Sequence, residues 1–309
     1  MNTILYLVAV SIVNVIRFLP LKFVVLVGRQ IGFLFYYIDA PHRRVAVNNL
    51  TNSLGSSRSK KEIIALAREN FRRLGEVYLS SIKTAHIPSE KLGNILTIKG
   101  SERLDRSKRD DGSDPSFMLA IGHFGNFEMY ANAGHNEPEY ELCTTYRGFN
   151  QPWVDKVIKS LRSKSGCHFF DRRYEGGKLK AFMKRPKTIT GLLADQSAGR
   201  SGILLPLFGR PCSTNPAPAL FSLRYNLRLH GCLCRRAGLG QWELELGPEI
   251  PTRRENGQAR SVEAIMADIN ATYERYILED PANWFWVHNR WKRSDRAKKR
   301  GNRLAASQK

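Results

Sequence analysis

Residues 117–128 read FMLAIGHFGNFE, and this stretch decides the fold class. The apolar run Phe117–Ile121 is typical of a buried β-strand, and a turn bracketed by Gly122 and Gly125 follows it before a short helical segment begins. A strand that passes through a tight turn into a helix is the repeating unit of α/β proteins with a parallel sheet. Such folds place their functional side chains at the carboxyl ends of the strands.

The alternation of strand and helix patterns continues along the chain on both sides of this stretch. Short β-branched, aromatic or apolar runs predict further strands, and the segments between them predict helices. The other predicted strands are 95–99, 141–146, 168–170, 188–194, 227–232 and 242–246. The predicted helices are 60–83, 126–133, 153–164, 177–184, 216–225 and 260–278. We expect a mixed, mainly parallel sheet flanked by helices, with the final strand antiparallel to its neighbour.

The N-terminal segment is strongly apolar. Only Tyr6, Ser11 and Asn14 interrupt the run 4–16, and a second run, 18–38, carries charges at helical intervals. A membrane span needs about 20 apolar residues, so the first run is a borderline span and the second is expected to lie as an amphipathic helix at the membrane surface. A signal peptide and a buried soluble helix are the alternatives. Basic residues follow the first run, which places the remainder of the chain in the cytoplasm.

The chain is strongly basic, with 49 Lys and Arg against 28 Asp and Glu, a formal net charge of +21. This charge predicts attraction to an anionic membrane, phosphorylated substrates, an acidic protein or nucleic acid. Residues 156–187 hold eleven basic side chains against two acidic ones, and residues 290–309 hold nine against one. We expect no nucleic-acid partner, because no aromatic sheet motif or recognition helix accompanies the charge. The predicted organisation is an anchor (1–40), a folded domain (41–289) and a disordered basic tail (290–309).

The five cysteines are scattered and odd in number, so no disulfide framework is expected. No paired Cys or Cys/His cluster with zinc-ligand spacing accompanies them. We therefore expect a reducing, cytosol-facing compartment, no metal site and no cofactor.

His123 follows the strand of the opening motif, and Glu128 comes five residues later. An imidazole acts as a general base when a carboxylate fixes its tautomer and stabilises the imidazolium. Because the motif contains no Ser or Cys nucleophile, the base is expected to act directly on a substrate hydroxyl without an acyl-enzyme. Two alternatives are a structural hydrogen bond by His123 and catalysis by a cysteine, which would make the protein sensitive to alkylation.

The string HFGNFE resembles the His-x4-Asp/Glu motif of the glycerolipid and lysophospholipid acyltransferases. With the apolar N-terminus, GHFGNFE resembles in particular the bacterial lipid A late acyltransferases of the lauroyl or myristoyl type. Further blocks resemble this family in the expected order, over nearly the whole chain: 19–20, 28–32, 43–50, 70–71, 146–152, 195–196, 206–209, 216–217 and 284–291. The last block departs from the family at Asn289, where members commonly have a second cationic side chain.

The resemblance implies a glycerolipid-acyltransferase-like fold in which 41–289 is the acyltransferase domain. It implies His123 as the base and Glu128 as its partner. The substrate-binding residues that it implies are Gly125, Asn126, Arg147, Asn150, Asp195 and Gln196.

The implied reaction moves a fatty acyl chain from an acyl carrier protein or acyl-CoA thioester to a hydroxyl of a glycolipid, a lipid A precursor. It would take place at the cytoplasmic face of the bacterial inner membrane, beside an anionic membrane surface. Two alternatives remain: acylation of another lipid, such as a lysophospholipid, an aminolipid or a glycosylated phosphoinositide, and a non-catalytic basic protein that binds the membrane surface. Replacement of His123 separates them, because only a transferase would lose its activity.

Overall fold

Four helices precede the sheet in a computed structural model of the protein, which describes residues 2–109, 112–292 and 295. They are α1 (Asn2–Phe18), α2 (Leu21–Ile38), α3 (Ala40–Leu54) and α4 (Lys60–Thr84). The long α4 begins at a capping box, in which Ser59 and Glu62 each bond the backbone N–H of the other.

A seven-stranded sheet forms the centre of the domain, in the order β1-β9-β8-β2-β5-β3-β4. All neighbours in it are parallel except the pair β8 and β9, which is antiparallel as predicted. Its strands are β1 (Leu96–Lys99), β2 (Phe117–Ile121), β3 (Glu141–Tyr146), β4 (His168–Asp171), β5 (Thr188–Leu193), β8 (Arg228–Gly238) and β9 (Gln241–Glu249). The predicted mixed, mainly parallel sheet is confirmed.

Helices connect and cover these strands. They are α5 (Pro152–Arg162), α6 (Gly176–Met183), α7 (Ala217–Tyr225) and α8 (Val262–Glu279). The segment after the opening motif is a 3-10 helix, Phe127–Asn136. Two elements were not predicted: α3, and an antiparallel hairpin of β6 (Ile203–Leu207) and β7 (Arg210–Thr214) outside the main sheet.

Helix α2 packs along α4 at close range. A Cβ atom added to Gly75 would lie 2.1 Å from the carbonyl oxygen of Gly28, and one added to Gly32 would lie 2.1 Å from that of Phe71. Only glycine permits so close an approach of two helix backbones. Arg29 of α2 strengthens the contact through ion pairs to two glutamates of α4. One face of α2 is therefore part of the folded domain.

The opposite face of α2 is apolar and exposed. Fourteen of the twenty-one large apolar side chains that are exposed in the described part of the chain lie on α1 and α2. By length and composition α2 is the one described helix that could cross a membrane, with a mean hydropathy of 1.4 and 28% of it buried. The apolar part of α1, Thr3–Phe18, is shorter. Length and composition thus favour the second apolar run over the first, and the way in which either run meets a membrane stays a prediction. The division into 1–40, 41–289 and 290–309 stays a prediction, but Arg290 and Trp291, the first residues of the predicted tail, are completely buried. Most of the basic tail lies outside the described residues.

Candidate active site

Two strand ends bring the central side chains of the site together. Strands β2 and β5 pair in parallel with Ile121 opposite Leu193, so the residues two positions beyond each strand, His123 and Asp195, meet at one edge of the sheet. Asp195 accepts two hydrogen bonds from His123, one from its backbone N–H to Oδ2 at 2.8 Å and one from ring Nδ1 to Oδ1 at 2.7 Å. The carboxylate that faces the imidazole is therefore Asp195.

The contact with Asp195 determines which ring nitrogen of His123 can act as a base. A carboxylate only accepts hydrogen bonds, so Nδ1 carries the proton and Nε2 keeps its lone pair. The side-chain amide nitrogen of Gln196 lies 3.3 Å from this Nε2. Since 14% of the His123 side chain is exposed, a substrate hydroxyl that displaces the amide can reach Nε2.

Asp195 is held in its charged form. It is 2% exposed, and the indole N–H of Trp284 donates a further hydrogen bond to its Oδ2 at 2.7 Å. Burial alone would raise the pKa of Asp195, but the attraction of His123 and the hydrogen bonds from His123 and Trp284 lower this pKa to about 2. A negative charge therefore stands behind the imidazole at neutral pH, where it stabilises the imidazolium that forms on protonation.

Buried asparagines on two helices hold the segment that contains Trp284. Asn70 of α4 donates its side-chain amide to the carbonyl oxygens of Ala282 and Trp284, at 2.9 and 2.6 Å. Asn49 of α3 donates in the same way to the carbonyl oxygens of Trp286 and His288, both at 2.9 Å. The aromatic segment thus packs in the core and supports Asp195 from behind.

Arg290 fixes the turn that follows Asp195. Its side chain is completely buried, and its guanidinium donates to the carbonyl oxygens of Gln196 (3.0 Å) and Ser213 and to the hydroxyl of Thr214 (2.9 Å). These neutral acceptors bond the two terminal nitrogens of the buried cation, and they order the backbone that carries them. The position of Gln196 beside His123 depends on this anchor.

Glu128 does not fill the place that the sequence motif predicted for it. Its two carboxylate oxygens bond the guanidinium of Arg162 in α5, at 3.0 and 2.5 Å. The 3-10 helix that begins at Phe127 directs Glu128 away from the imidazole, so Asp195 takes the position beside Nδ1. Arg162 and Trp284 were not predicted as site residues. One signal for Asp195 was present, since it follows a buried strand at the same offset as His123.

The other predicted site residues lie in different surroundings. Gly125 adopts φ +48°, and a Cβ atom there would lie 2.6 Å from the carbonyl oxygen of Cys234, so it serves the turn itself. Asn126 is completely buried, and its side chain bonds the hydroxyls of two serines on α4, so its role toward substrate stays a prediction. Arg147 and Asn150 are exposed in the segment that follows β3. Because β3 neighbours β5, they lie toward the same edge of the sheet as Asp195.

An apolar cavity of about 110 Å³ lies across the sheet under the 3-10 helix. Phe127, whose ring lies 4.9 Å from that of His123, lines it, and Glu128 and Arg162 do so as well. Nine of the other lining residues are Leu or Ile, and the polar ones include Ser101, Glu137, Thr144 and Thr145; the nine are Ile98, Leu104, Leu119, Ile121, Leu142, Ile189, Leu193, Leu244 and Leu246. Apolar cavities of this order stay dry and accept apolar guests.

The cysteines are poorly suited to nucleophilic catalysis. All five are free, and four of them are buried. Burial raises the pKa of the Cys143 thiol to about 12 and that of Cys232 further, so little reactive thiolate exists at neutral pH. Among the described residues there is no group of three or more His, Cys, Asp or Glu side chains that could hold a metal ion.

The chain is similar to known proteins over most of its length. The sequence profile of the family described as bacterial lipid A biosynthesis acyltransferase matches residues 2–293. A lipid A biosynthesis palmitoleoyltransferase of Escherichia coli (strain K12) is 24% identical over 280 residues, which cover 89% of this chain and 86% of that protein. A lipid A biosynthesis acyltransferase of Haemophilus influenzae is 22% identical over 309 residues, covering 93% of this chain and 90% of that protein. The resemblance inferred from the sequence motifs is confirmed.

Proposed function

The chain belongs to the bacterial lipid A biosynthesis acyltransferase family and is an acyltransferase, and we propose that it transfers a fatty acyl chain from an acyl carrier protein thioester to a hydroxyl of a lipid A precursor. The observation that carries this proposal is the position of His123. Its Nε2 keeps a lone pair, its Nδ1 is bonded to a buried aspartate, and its ring contacts Phe127 in the wall of an apolar cavity.

In the proposed reaction His123 is the only proton carrier. Its Nε2 takes the proton of the acceptor hydroxyl while the hydroxyl oxygen bonds the carbonyl carbon of the thioester. The carbon–sulfur bond then breaks, and the leaving thiolate takes the proton from His123, so that an ester and a free thiol are the products. Asp195 stabilises the transient imidazolium and keeps the ring oriented. No acyl-enzyme is formed.

Glu128 acts through Arg162 in this proposal. Both side chains line the cavity next to Phe127, and the ion pair keeps the guanidinium at this position. A preorganised cation beside the thioester favours the negative charge that develops on its carbonyl oxygen. We therefore assign Glu128 as a positioning residue for Arg162, whereas Asp195 is the positioning residue for His123.

The acyl chain of the donor is proposed to occupy the apolar cavity. Each methylene group moved from water into such a site contributes about 0.8 kcal/mol, so the space under the 3-10 helix selects the chain length. The wall contains side chains from both β1 and β3, near opposite edges of the sheet, which gives an extended rather than a round space.

We propose acyl carrier protein as the donor, in preference to coenzyme A, because of the basic surface around β4 and α6. Arg172, Arg173, Lys180 and Lys184 are exposed there, and none has a carboxylate partner among the described residues. Unpaired cations on one surface raise the association rate of an acidic protein. This surface follows β4, and β4 is the neighbour of β3, which contributes to the cavity wall.

The apolar faces of α1 and α2 are proposed to lie in the cytoplasmic leaflet of the inner membrane. Phe18 and Ile38 are 80% and 73% exposed, which is costly in water and favourable in a lipid layer. Because the other face of α2 packs along α4, we propose that α2 lies at the membrane surface and does not cross the bilayer. The acceptor lipid then reaches the site without leaving its membrane.

The test is acyl transfer in detergent micelles, with radiolabelled Kdo-modified lipid A precursor and a panel of acyl carrier protein and coenzyme A thioesters. The wild type is expected to form an ester with one donor length preferred, and His123→Ala is expected to form none while its thermal unfolding is unchanged. Absence of transfer by a folded wild type with every donor would overturn the lipid A acceptor. Equal transfer by His123→Ala would overturn the mechanism.

A further inference from the structure

A second cavity, open and more polar, lies on the other side of His123. Its volume is about 520 Å³, and Ser197, Phe285, His288, Asn289 and Lys292 line it together with residues of α3. The ring of Phe285 lies 5.6 Å from that of His123, on which Phe127 also packs. The imidazole thus lies between the apolar cavity, reached through Phe127, and this open groove, reached through Phe285.

The basic nitrogen of His123 lies beside the turn that forms part of the groove wall. Its Nε2 points to the amide of Gln196, and the next residue, Ser197, forms part of the groove wall. The backbone N–H of Ser197 donates to Nε2 of His288 at 3.0 Å, which ties this turn to the opposite wall. A hydroxyl that arrives from the groove therefore replaces the Gln196 amide at Nε2.

The groove also adjoins the apolar N-terminal helices. Pro41, His42 and Val45, at the start of α3, form one of its walls, and α3 begins two residues after α2 ends. At that end of α2 the side chains of Tyr37 and Ile38 are 50% and 73% exposed. A lipid whose chains lie beside this end of α2 can place its headgroup in the groove without crossing any folded segment.

The chemistry of the wall favours an anionic headgroup. None of the described lining residues is acidic, and Lys292 has no carboxylate partner among the described residues. The nearby Asp295 is paired with Arg210, and the imidazole of His42 is paired with Asp39. Lys292 is thus available to a phosphate, while Asn289 and His288 offer hydrogen-bonding groups and Phe285 offers an apolar ring face to a sugar.

We propose that this groove binds the sugar-phosphate headgroup of the acceptor lipid, with Lys292 as a phosphate contact. The inference rests on the proposed acyl transfer and adds the location and chemistry of the acceptor site. The two substrates then reach His123 from opposite sides, the acyl chain through the apolar cavity and the hydroxyl through the groove.

The test separates the Michaelis constants of the two substrates. Lys292→Glu is expected to raise the KM for phosphorylated, Kdo-modified lipid A precursor at least about tenfold, the loss typical of a charged contact, and to leave the KM for the acyl carrier protein thioester unchanged. Val45→Trp, which fills the groove from α3, is also expected to raise the KM for the lipid A precursor and to leave the KM for the thioester unchanged. The matched controls are Arg254→Glu, an exposed charge reversal in the loop after β9, and Arg44→Trp, an exposed position next to Val45.

A binding experiment makes the result independent of turnover. The inactive His123→Ala protein is titrated with the phosphorylated precursor and with the same lipid after phosphatase treatment, with and without the neutral substitution Lys292→Gln. If Lys292 contacts the phosphate, removal of either partner weakens binding, and removal of both weakens it no further. An unchanged acceptor KM in Lys292→Glu and Val45→Trp, or an equal rise in the donor KM, would overturn the proposal. Failure of the proposed function is distinct from this, because a wild type without transferase activity can still bind the precursor in the groove.

Discussion

The turns that follow β2 and β5 begin alike and serve different purposes. Each leaves a buried parallel strand and places a polar side chain two residues later, His123 in one case and Asp195 in the other. The turn after β2 continues into the 3-10 helix, which carries Phe127 and Glu128 to the wall of the apolar cavity. The turn after β5 continues through Gln196 to Ser197, which lines the open groove.

This difference assigns the two carboxylates to different partners. Glu128 is five residues from His123 in sequence yet bonds Arg162, whereas Asp195 is 72 residues away and accepts both hydrogen bonds from His123. Adjacency of strands in the sheet, which sequence spacing does not contain, brings the second pair together. We infer that Asp195 supports proton transfer by His123 and that Glu128, through Arg162, stabilises the thioester of the acyl donor. The following experiments test these two assignments.

The largest effect is expected for Asp195→Asn. Loss of the charge removes the stabilisation of the imidazolium and allows the wrong tautomer, so kcat should fall by about 10³-fold with little change in either KM. Single-turnover transfer measures the effect, with thermal unfolding as the control for folding. If Glu128→Gln lowers kcat more than Asp195→Asn does, the assignment of the imidazole partner is wrong.

A double-mutant cycle on Glu128 and Arg162 is expected to show a smaller, shared effect. Glu128→Gln and Arg162→Gln should each lower kcat/KM by about 10- to 100-fold, in keeping with the loss of one electrostatic contact to the transition state. Because the pair acts as a unit, the double variant should lose no more than either single variant. Additive losses would show that Glu128 has a role apart from Arg162.

The strands that carry His123 and Asp195 were predictable from the sequence, whereas their arrangement in the sheet was not. The strand before His123 and the strand before Asp195 were both predicted to within one residue, because short runs of apolar, β-branched or aromatic residues without charges identify strands that are buried on both faces. Their adjacency was not predicted, because strand order depends on how the helical connections cross the sheet. Asn126 was assigned to substrate from its place in the motif, although it is buried and bonded to serines of α4.

Two elements outside the site were missed for local reasons. The hairpin of β6 and β7 contains Pro206 and Pro211, which remove backbone donors and weaken the strand pattern. Helix α3 has a weak apolar periodicity, because its short buried face combines Ala46, Leu50 and Leu54 with the polar Asn49. In both cases tertiary contacts, rather than intrinsic propensity, determine the structure.

Charge reversal on the basic surface around β4 and α6 tests the proposed docking of acyl carrier protein. The double charge reversal Arg172→Glu/Arg173→Glu should lower kcat/KM for an acyl carrier protein thioester about tenfold at low salt, because steering of an acidic partner is lost. The loss should shrink as salt is added. The same acyl chain on pantetheine serves as the control donor, and an equal loss with it would place these arginines in the site itself rather than on a docking surface.

The cavity under the 3-10 helix is tested by a change of its volume. Ala133→Leu adds an isopropyl group to the wall, so the preferred donor should become shorter, with a loss of about fourfold in kcat/KM for each methylene that no longer fits. Asn132→Leu, on the neighbouring residue that does not line the cavity, is the matched control. A profile of donor lengths measures the effect, and an unchanged profile in Ala133→Leu would mean that the acyl chain lies elsewhere.

The hydrogen bond between His288 and the turn after β5 is tested by the pH dependence of stability. Burial lowers the pKa of His288 to about 4, against about 6.5 in an unfolded chain, and its neutral Nε2 accepts the N–H of Ser197. Between these two values the unfolded state binds more protons than the folded state, so the free energy of unfolding should fall as the pH drops from 7 to 5, by about 2 kcal/mol from this residue. His288→Gln keeps an acceptor for Ser197 without a titrating group and should lose less stability over the same range, as urea unfolding at both pH values would measure. If His288→Gln and the wild type lose equal stability, the neutral imidazole does not hold this turn, and Gln196 and Ser197 depend on Arg290 alone.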